Sequence, residues 1–387
     1  MKLVKLDSLS ETAQWTYRSW RKGYPVSNNL KNWVPITEFR PMDVLLRKIS
    51  ESWARWRFLS PFFASHGLHI YHMEEGPPAK PPKYPLSQHT GTDIWPWARH
   101  AFETEEDLSF DFYNAVRVWP ARDDNGHEVI IRLASGASEV TDELRAFHRL
   151  NTPKARSDPR NRTLPVLKYL NFDGMVFVVM PRWATEPFGP FVTFSTISEL
   201  FDLAELFFEG LEFLHENRIA HRDIYHTNTV MNVLCKPGAQ QGNLRAKGEV
   251  KYAFIDFDAC LTLPEDADID AVRSEREMRN QMAKLKLKPG MCNPFKDDVL
   301  CLTFEAEGML RVAEGSIPEV GQFFDWIWGC DYEETPSATI VLQKLHQLHE
   351  SLSEEQLNQP PAGKFWDRGT SLPFDATPCT TSSNPIE

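Results

Sequence analysis

The stretch His221-Arg222-Asp223-Ile224-Tyr225-His226-Thr227-Asn228 sets a carboxylate and a side-chain amide five positions apart, directly after a run with helical periodicity. Further along, Phe254-Ile255-Asp256-Phe257-Asp258 ends an apolar, strand-like run in two more carboxylates. Singly, each residue has an ordinary explanation. An Asp after His-Arg serves as a turn residue, and an Asp closing an apolar run serves as a strand end or helix cap. Their order and separation carry the information that no single residue does.

Working outward, Thr196-Ile197-Ser198-Glu199 reads as a capping box. Ile197, Leu200, Ala204, Phe207, Leu211 and Leu214 then fall on one helical face, which predicts a helix buried on that side. Upstream, Phe110–Trp119 and His127–Leu133 read as strands joined by the hairpin connection Ala121–Gly126. A helix is expected over Val140–Leu150. Strands are expected over Pro165–Leu170 and Met175–Met180, joined by Asn171-Phe172-Asp173-Gly174. Downstream come a charged connection to Pro289 and helices at Asp297–Val312 and Ile340–Leu352. Residues 1–105 are rich in Trp and Pro, with one helix near Met42–Phe58 and a loop at Gly76–Pro82. They show no chemistry, and their aromatics either pack on the neighbouring domain or form a separate docking surface.

The two motifs together resemble the eukaryotic protein-kinase superfamily. The pattern H-R-D-L-x-x-x-N is met at every polar position, with Ile224 for leucine, and Asp256-Phe257-Asp258 stands where D-F-G is expected. The resemblance implies an α+β, two-lobed protein-kinase-like fold with a small β-rich N-lobe holding one helix and a larger, mainly helical C-lobe. The organisation expected is a Trp/Pro-rich extension over 1–105, an N-lobe over 106–181, a C-lobe over 182–352 and an unstructured tail over 353–387. Phosphoryl transfer asks a protein mainly to position reactants and neutralise charge. The resemblance therefore makes Asp223 the base, within a catalytic set of His221, Arg222, Asp223, Arg132 and Glu143. Asn228 and Asp256 become the Mg2+ ligands, and Arg132, Met180, Asn228 and Asp256 the contacts for ATP. Glu143 stands on a helix like the family's αC, and Arg132 closes Val129-Ile130-Ile131-Arg132, which looks like V-A-I-K. Met180 takes the gatekeeper position before the hinge Pro181-Arg182-Trp183. Asp298, in Lys296-Asp297-Asp298-Val299, would hold the catalytic-loop backbone. Ser157-Asp158-Pro159-Arg160-Asn161 and Phe254-Ile255-Asp256-Phe257 are similar to kinase-like proteins of filamentous, mushroom-forming fungi.

Several positions depart from the family pattern. Phe110–Trp119 contains no G-x-G-x-x-G, and Arg132 replaces a lysine whose compact ammonium a planar guanidinium does not reproduce. Ile130, on the same strand face as Arg132, is bulkier than the alanine of the pattern. Tyr225 replaces a lysine, and Asp258 replaces a glycine or adds a carboxylate to the metal site. No A-P-E stands between Asp256 and Asp298; Lys288-Pro289-Gly290 reads as a turn. Two functions are compatible with this pattern: a divergent Ser/Thr protein kinase using ATP and Mg2+, favoured by the intact Asp223, Asn228 and Asp256, or a pseudokinase serving as a binding or scaffolding module. The partners expected are ATP and an unidentified protein substrate.

Composition sets the outer limits. With 387 residues, 42% hydrophobic, a sizeable core can form. A formal charge of −12 offers no broad cationic surface, so nucleic acid and anionic membrane are not expected partners. The 6 cysteines lack C-x-x-C spacing, no apolar run reaches membrane-spanning length, and Met1-Lys2-Leu3-Val4-Lys5 leads into polar residues. A cytoplasmic or nuclear location is the expectation.

Overall fold

The computed structural model describes residues 26–34, 36, 41–74, 76–87, 95–110, 116–185, 194–235, 250–279, 285–363, 365, 366, 373 and 374, with 13 and 17. Its centre is a five-stranded antiparallel sheet of β1 (Leu68–Ile70), β2 (Val118–Asp123), β3 (Glu128–Ser135), β4 (Lys168–Phe172) and β5 (Met175–Pro181), in the order β1-β2-β3-β5-β4. Helices complete a mixed α/β architecture.

Local chemistry explains the strand connections. Phe172 pairs with Met175 across Asp173-Gly174, both at positive φ, 49° and 78°, the geometry of a two-residue hairpin turn. Gly126, at φ 84°, ends the other hairpin where an added Cβ would lie 2.4 Å from the Ser87 amide nitrogen, so only glycine fits. β2 begins later than expected and runs through Pro120 to Asp123, taking in Ala121–Asp123 of the expected connection Ala121–Gly126. Pro120 has no N–H for a ladder, but its carbonyl accepts from Tyr71 N at 3.0 Å. The first part of the expected strand, residues 111–115, lies outside the described residues.

Both sheet faces are buried, which accounts for the unbroken apolar run Met175–Met180. On one face Val129, Ile131, Leu133, Phe177 and Val179 share a core with α1 (Met42–Ser65), a longer helix than Met42–Phe58. Trp56 is fully buried there, stacking on Trp119 at 5.8 Å and donating its indole N–H to the Val116 carbonyl at 3.0 Å. Trp53, Trp56, Phe62 and Phe63 thus pack on the sheet, against Trp119, Phe172 and Phe177. A buried network binds this region further. Tyr71 donates to Glu128 at 2.5 Å, Arg122 donates to the same carboxylate at 2.6 Å, and Arg182 donates to Tyr71 at 2.9 Å. Trp183 donates to the Pro96 carbonyl at 2.9 Å, so the segment before β2 fastens the chain that leaves β5.

The second core holds Ala134, Val178 and Met180 from the opposite sheet face, with α2 (Asp142–Leu150), α3 (Ile197–Glu216), α4 (Pro294–Leu310), α5 (Pro318–Trp328) and α6 (Ala338–Ser351). All six apolar positions read on α3 are buried, and Thr196 caps it by accepting from Glu199 N at 3.3 Å. α4 begins ahead of Asp297 because Asn293 accepts from Phe295 N at 2.9 Å and Pro294 occupies the first turn. The stretch expected to lack structure instead carries a short helix at Glu354–Leu357, capped by Ser353, and the strand Phe365–Trp366. Arg311, in the turn after α4, lies over the Trp366 ring at 4.7 Å. No helix among the described residues is long and apolar enough to cross a membrane.

Because α1 and the sheet share one core, Trp56→Ala costs the protein about 3–5 kcal/mol. Denaturant unfolding monitored by tryptophan fluorescence and far-UV circular dichroism should remain one transition at lower midpoint. A separate early transition, with the remainder unchanged, would contradict the shared core.

Candidate functional site

Two short loops lie side by side because strands pair at both of their ends. β6 (Ile219–Ala220) pairs with β9 (Leu261–Thr262), and β7 (Thr229–Met231) pairs with β8 (Tyr252–Phe254), both antiparallel. Residues 221–228 and 255–260 are therefore opposed. Ile255 N donates to the Asn228 carbonyl at 2.9 Å, closing one end.

The first loop is shaped by Asp298 of α4, which is fully buried. Its two oxygens accept from His221 N and Arg222 N, each at 2.7 Å, and His215 Nε2 lies 3.3 Å away. Arg222 consequently adopts φ 65°, a left-handed conformation that costs a non-glycine residue on the order of 1–2 kcal/mol. His221, with no exposed surface, donates from Nε2 to the Ile255 carbonyl at 2.9 Å, and its Nδ1 accepts from Asp223 N at 3.3 Å. Asp223 is thereby aimed at the second loop, where Asp256 is also left-handed at φ 64°.

The carboxylates of Asp223, Asp256 and Asp258 converge, with one oxygen from each within 4.8 Å of the others. Asn228 Nδ2 donates to Asp223 Oδ2 at 2.9 Å and to its carbonyl at 2.8 Å, which leaves Asn228 Oδ1 as an oxygen for a cation. Arg132 of β3 joins Glu143 of α2 to Asp256: Nε donates to Glu143, and Nη2 donates to Asp256 Oδ1 at 2.8 Å. Arg117 Nη2 donates to Asp258 Oδ2 at 3.0 Å. Arg279 Nη1 donates to both Asp223 Oδ2, at 3.1 Å, and Asp258 Oδ1, at 2.8 Å.

These pairings separate the titrations. Burial pushes the Asp223 carboxyl up, with Arg279 opposing part of that rise. Burial acts the same way on Asp256, but there Arg132 and Arg279 outweigh it and hold the carboxyl below the usual range. Burial lowers the Arg132 guanidinium, yet Glu143, Asp256 and Asp258 together raise it, so it stays charged.

Of the residues read from the sequence, His221, Asp223, Asn228, Asp256, Arg132 and Glu143 are joined in this network. Arg222 contributes its backbone, while its side chain turns away to donate to the Glu275 carbonyl at 2.7 Å. Met180 is buried in the second core and stands opposite Ile130 in the ladder, with no part in the polar network. Sequence reading missed Arg117 and Arg279: one sits inside Phe110–Trp119, read only as a strand without the glycine pattern, the other in the charged connection that runs to Pro289. A separate group, Asp202, Glu205 and His349, places donor atoms within 4.8 Å. His349 Nδ1 meets Glu205 at 3.0 Å, which raises the imidazole, and the pair links α3 to α6.

Compared with models of protein families and with curated proteins, the chain matches none.

Two outcomes test this geometry. Carboxyl-carbon NMR titration should find Asp223 titrating above an ordinary aspartate and Asp256 below it; coincident titrations would contradict the arrangement. Asp298→Ala leaves the buried His221 N–H and the part-buried Arg222 N–H without acceptors, about 1–3 kcal/mol for the buried one, measurable by denaturant unfolding. A loss below about 1 kcal/mol would mean that another group supports the His221-Arg222 turn.

Proposed function

We propose that this chain is a divergent, two-lobed protein kinase that binds ATP with Mg2+ and transfers the γ-phosphoryl group to a Ser or Thr hydroxyl of a protein substrate. The observation that carries the proposal is the convergence of Asp223, Asp256 and Asp258 within 4.8 Å, with Asn228 on Asp223 and Arg132 joining Asp256 to Glu143. The donor set fits the metal, since Mg2+ takes oxygen ligands and these are three carboxylates beside a side-chain amide oxygen. Asp256 and Asn228 would hold it, with Asp258 adjoining. Bound there, Mg2+ would neutralise charge on the phosphates.

The residues themselves supply the rest. Asp223, oriented by the Asn228 amide and with its carboxyl raised by burial, is suited to accept a hydroxyl proton. Arg132 uses Nε and Nη2 within the protein, leaving Nη1 to meet a phosphate oxygen. Ile130 and Met180, opposite each other in the ladder, would border the base.

The pseudokinase alternative is favoured by one feature. Arg132 bonds Asp256 directly, so a charged side chain already satisfies the residue that the metal needs. Thermal shift with ATP, with and without Mg2+, separates the two. For an enzyme, millimolar ATP stabilises wild type only when Mg2+ is present, and Asp256→Asn abolishes the shift, because a ligand selective for the folded state raises its stability. Absence of any shift would leave the scaffold reading.

A further inference from the structure

Three arginines neutralise the converging carboxylates, and they are not equivalent. Arg132 and Arg117 are held close to the sheet, with side chains 8% and 17% exposed, whereas the Arg279 side chain is 31% exposed and belongs to an irregular segment. Of the three, Arg279 is the one that spans the two loops, its single Nη1 bonded to Asp223 of one and Asp258 of the other. Glu277 is already a second partner: its Oε1 accepts from Arg279 Nε at 3.5 Å, it lies 3.8 Å from Arg222 Nη2, and at 42% exposed it can keep Arg279 once Nη1 lets go. A cavity of about 530 Å³ lies alongside, bordered by Arg117, Glu143, Asp258, Glu277 and Arg279.

The segment that carries Arg279 is anchored just before it. Ser274–Glu275 pairs with Met291–Cys292, and Arg276 grips Asp297 of α4 through Nε at 2.8 Å and Nη2 at 3.1 Å. Arg276 also lies over the Tyr332 ring at 5.2 Å. Arg276 thus ties the chain to α4 three positions before Arg279, and among the described residues Arg279 itself makes no bond to α4.

We infer that Arg279 is an internal counter-ion that keeps the Asp223–Asp258 pair closed to divalent cations, and that it must swing from these carboxylates, towards Glu277, before a metal enters. This inference rests on the metal-binding function proposed above and adds its regulation. The physical reason is competition. A cation on Asp256 and Asn228 with Asp258 adjoining needs the Asp258 carboxylate that Arg279 now bonds, so guanidinium and cation each lower the other's occupancy by stabilising a different state. The fully assembled site then forms only when the Arg279 side chain leaves Asp223 and Asp258.

The test is Mn2+ titration of the full chain, without nucleotide, monitored by the loss of the free-ion electron paramagnetic resonance signal. Arg279→Gln should bind Mn2+ at least about tenfold more tightly than wild type, since a charge-assisted hydrogen bond contributes on the order of one decade in affinity. Arg279→Lys, which keeps the charge but loses the fork, should fall between them. Adding Asp256→Asn to Arg279→Gln should abolish the gain, and far-UV circular dichroism checks that each variant is folded. Equal affinity for wild type and Arg279→Gln overturns the counter-ion role while leaving the metal site standing. Weaker binding by Arg279→Gln overturns it in favour of a supporting role for Arg279. No binding by either overturns both the counter-ion role and the metal site.

Discussion

The carboxylate of Asp298 is the constraint on which the site depends. A buried anion is tolerated only when its lone pairs are filled, and here two successive backbone N–H groups, His221 and Arg222, fill them at 2.7 Å. That pairing fixes a left-handed Arg222, which in turn aims Asp223 inward and sends the Arg222 side chain out. The loop is thus shaped from beneath, by a helix that carries none of the converging carboxylates. Strand pairing on both sides then sets the second loop opposite the first.

Charge balance is the second organising feature. Asp223, Asp256, Asp258 and Glu143 bring four negative charges into a small volume, and Arg117, Arg132 and Arg279 return three positive ones. The array resists loss of any one partner, because removing it leaves an uncompensated buried charge. It is also poised, because the most exposed of the three cations comes from a loop. Around it, the sheet is stiffened on the outer face by the tryptophan-rich N-terminal helix, so the strand carrying Arg132 is held from both sides.

Much of this was legible from sequence where periodicity and local chemistry agree. The α3 face, the turn at Asp173-Gly174 and the burial of Met175–Met180 come from spacing and residue type. Asp298 also accepts from the His221 and Arg222 N–H groups, a contact that only the family resemblance, not local pattern, implied. Other features were hidden for physical reasons. The extension of β2 through Pro120 was obscured because proline normally interrupts a ladder, and here its carbonyl does the pairing. α5 went unread although Val320, Phe323, Phe324 and Ile327 have helical spacing and are buried. Arg279 could not be found at all from local pattern, since its partners stand 56 and 21 residues away in the chain. Contacts of that separation are properties of the fold.

The most direct measurement is a crystal structure of the protein with Mg2+ and a non-hydrolysable ATP analogue. The proposed function predicts a cation on Asp256 and Asn228, phosphates beside Arg132, and Arg279 withdrawn from Asp223 and Asp258. Nucleotide absent at millimolar concentration, with Arg132 and Arg279 still bonded to the three carboxylates, would contradict it.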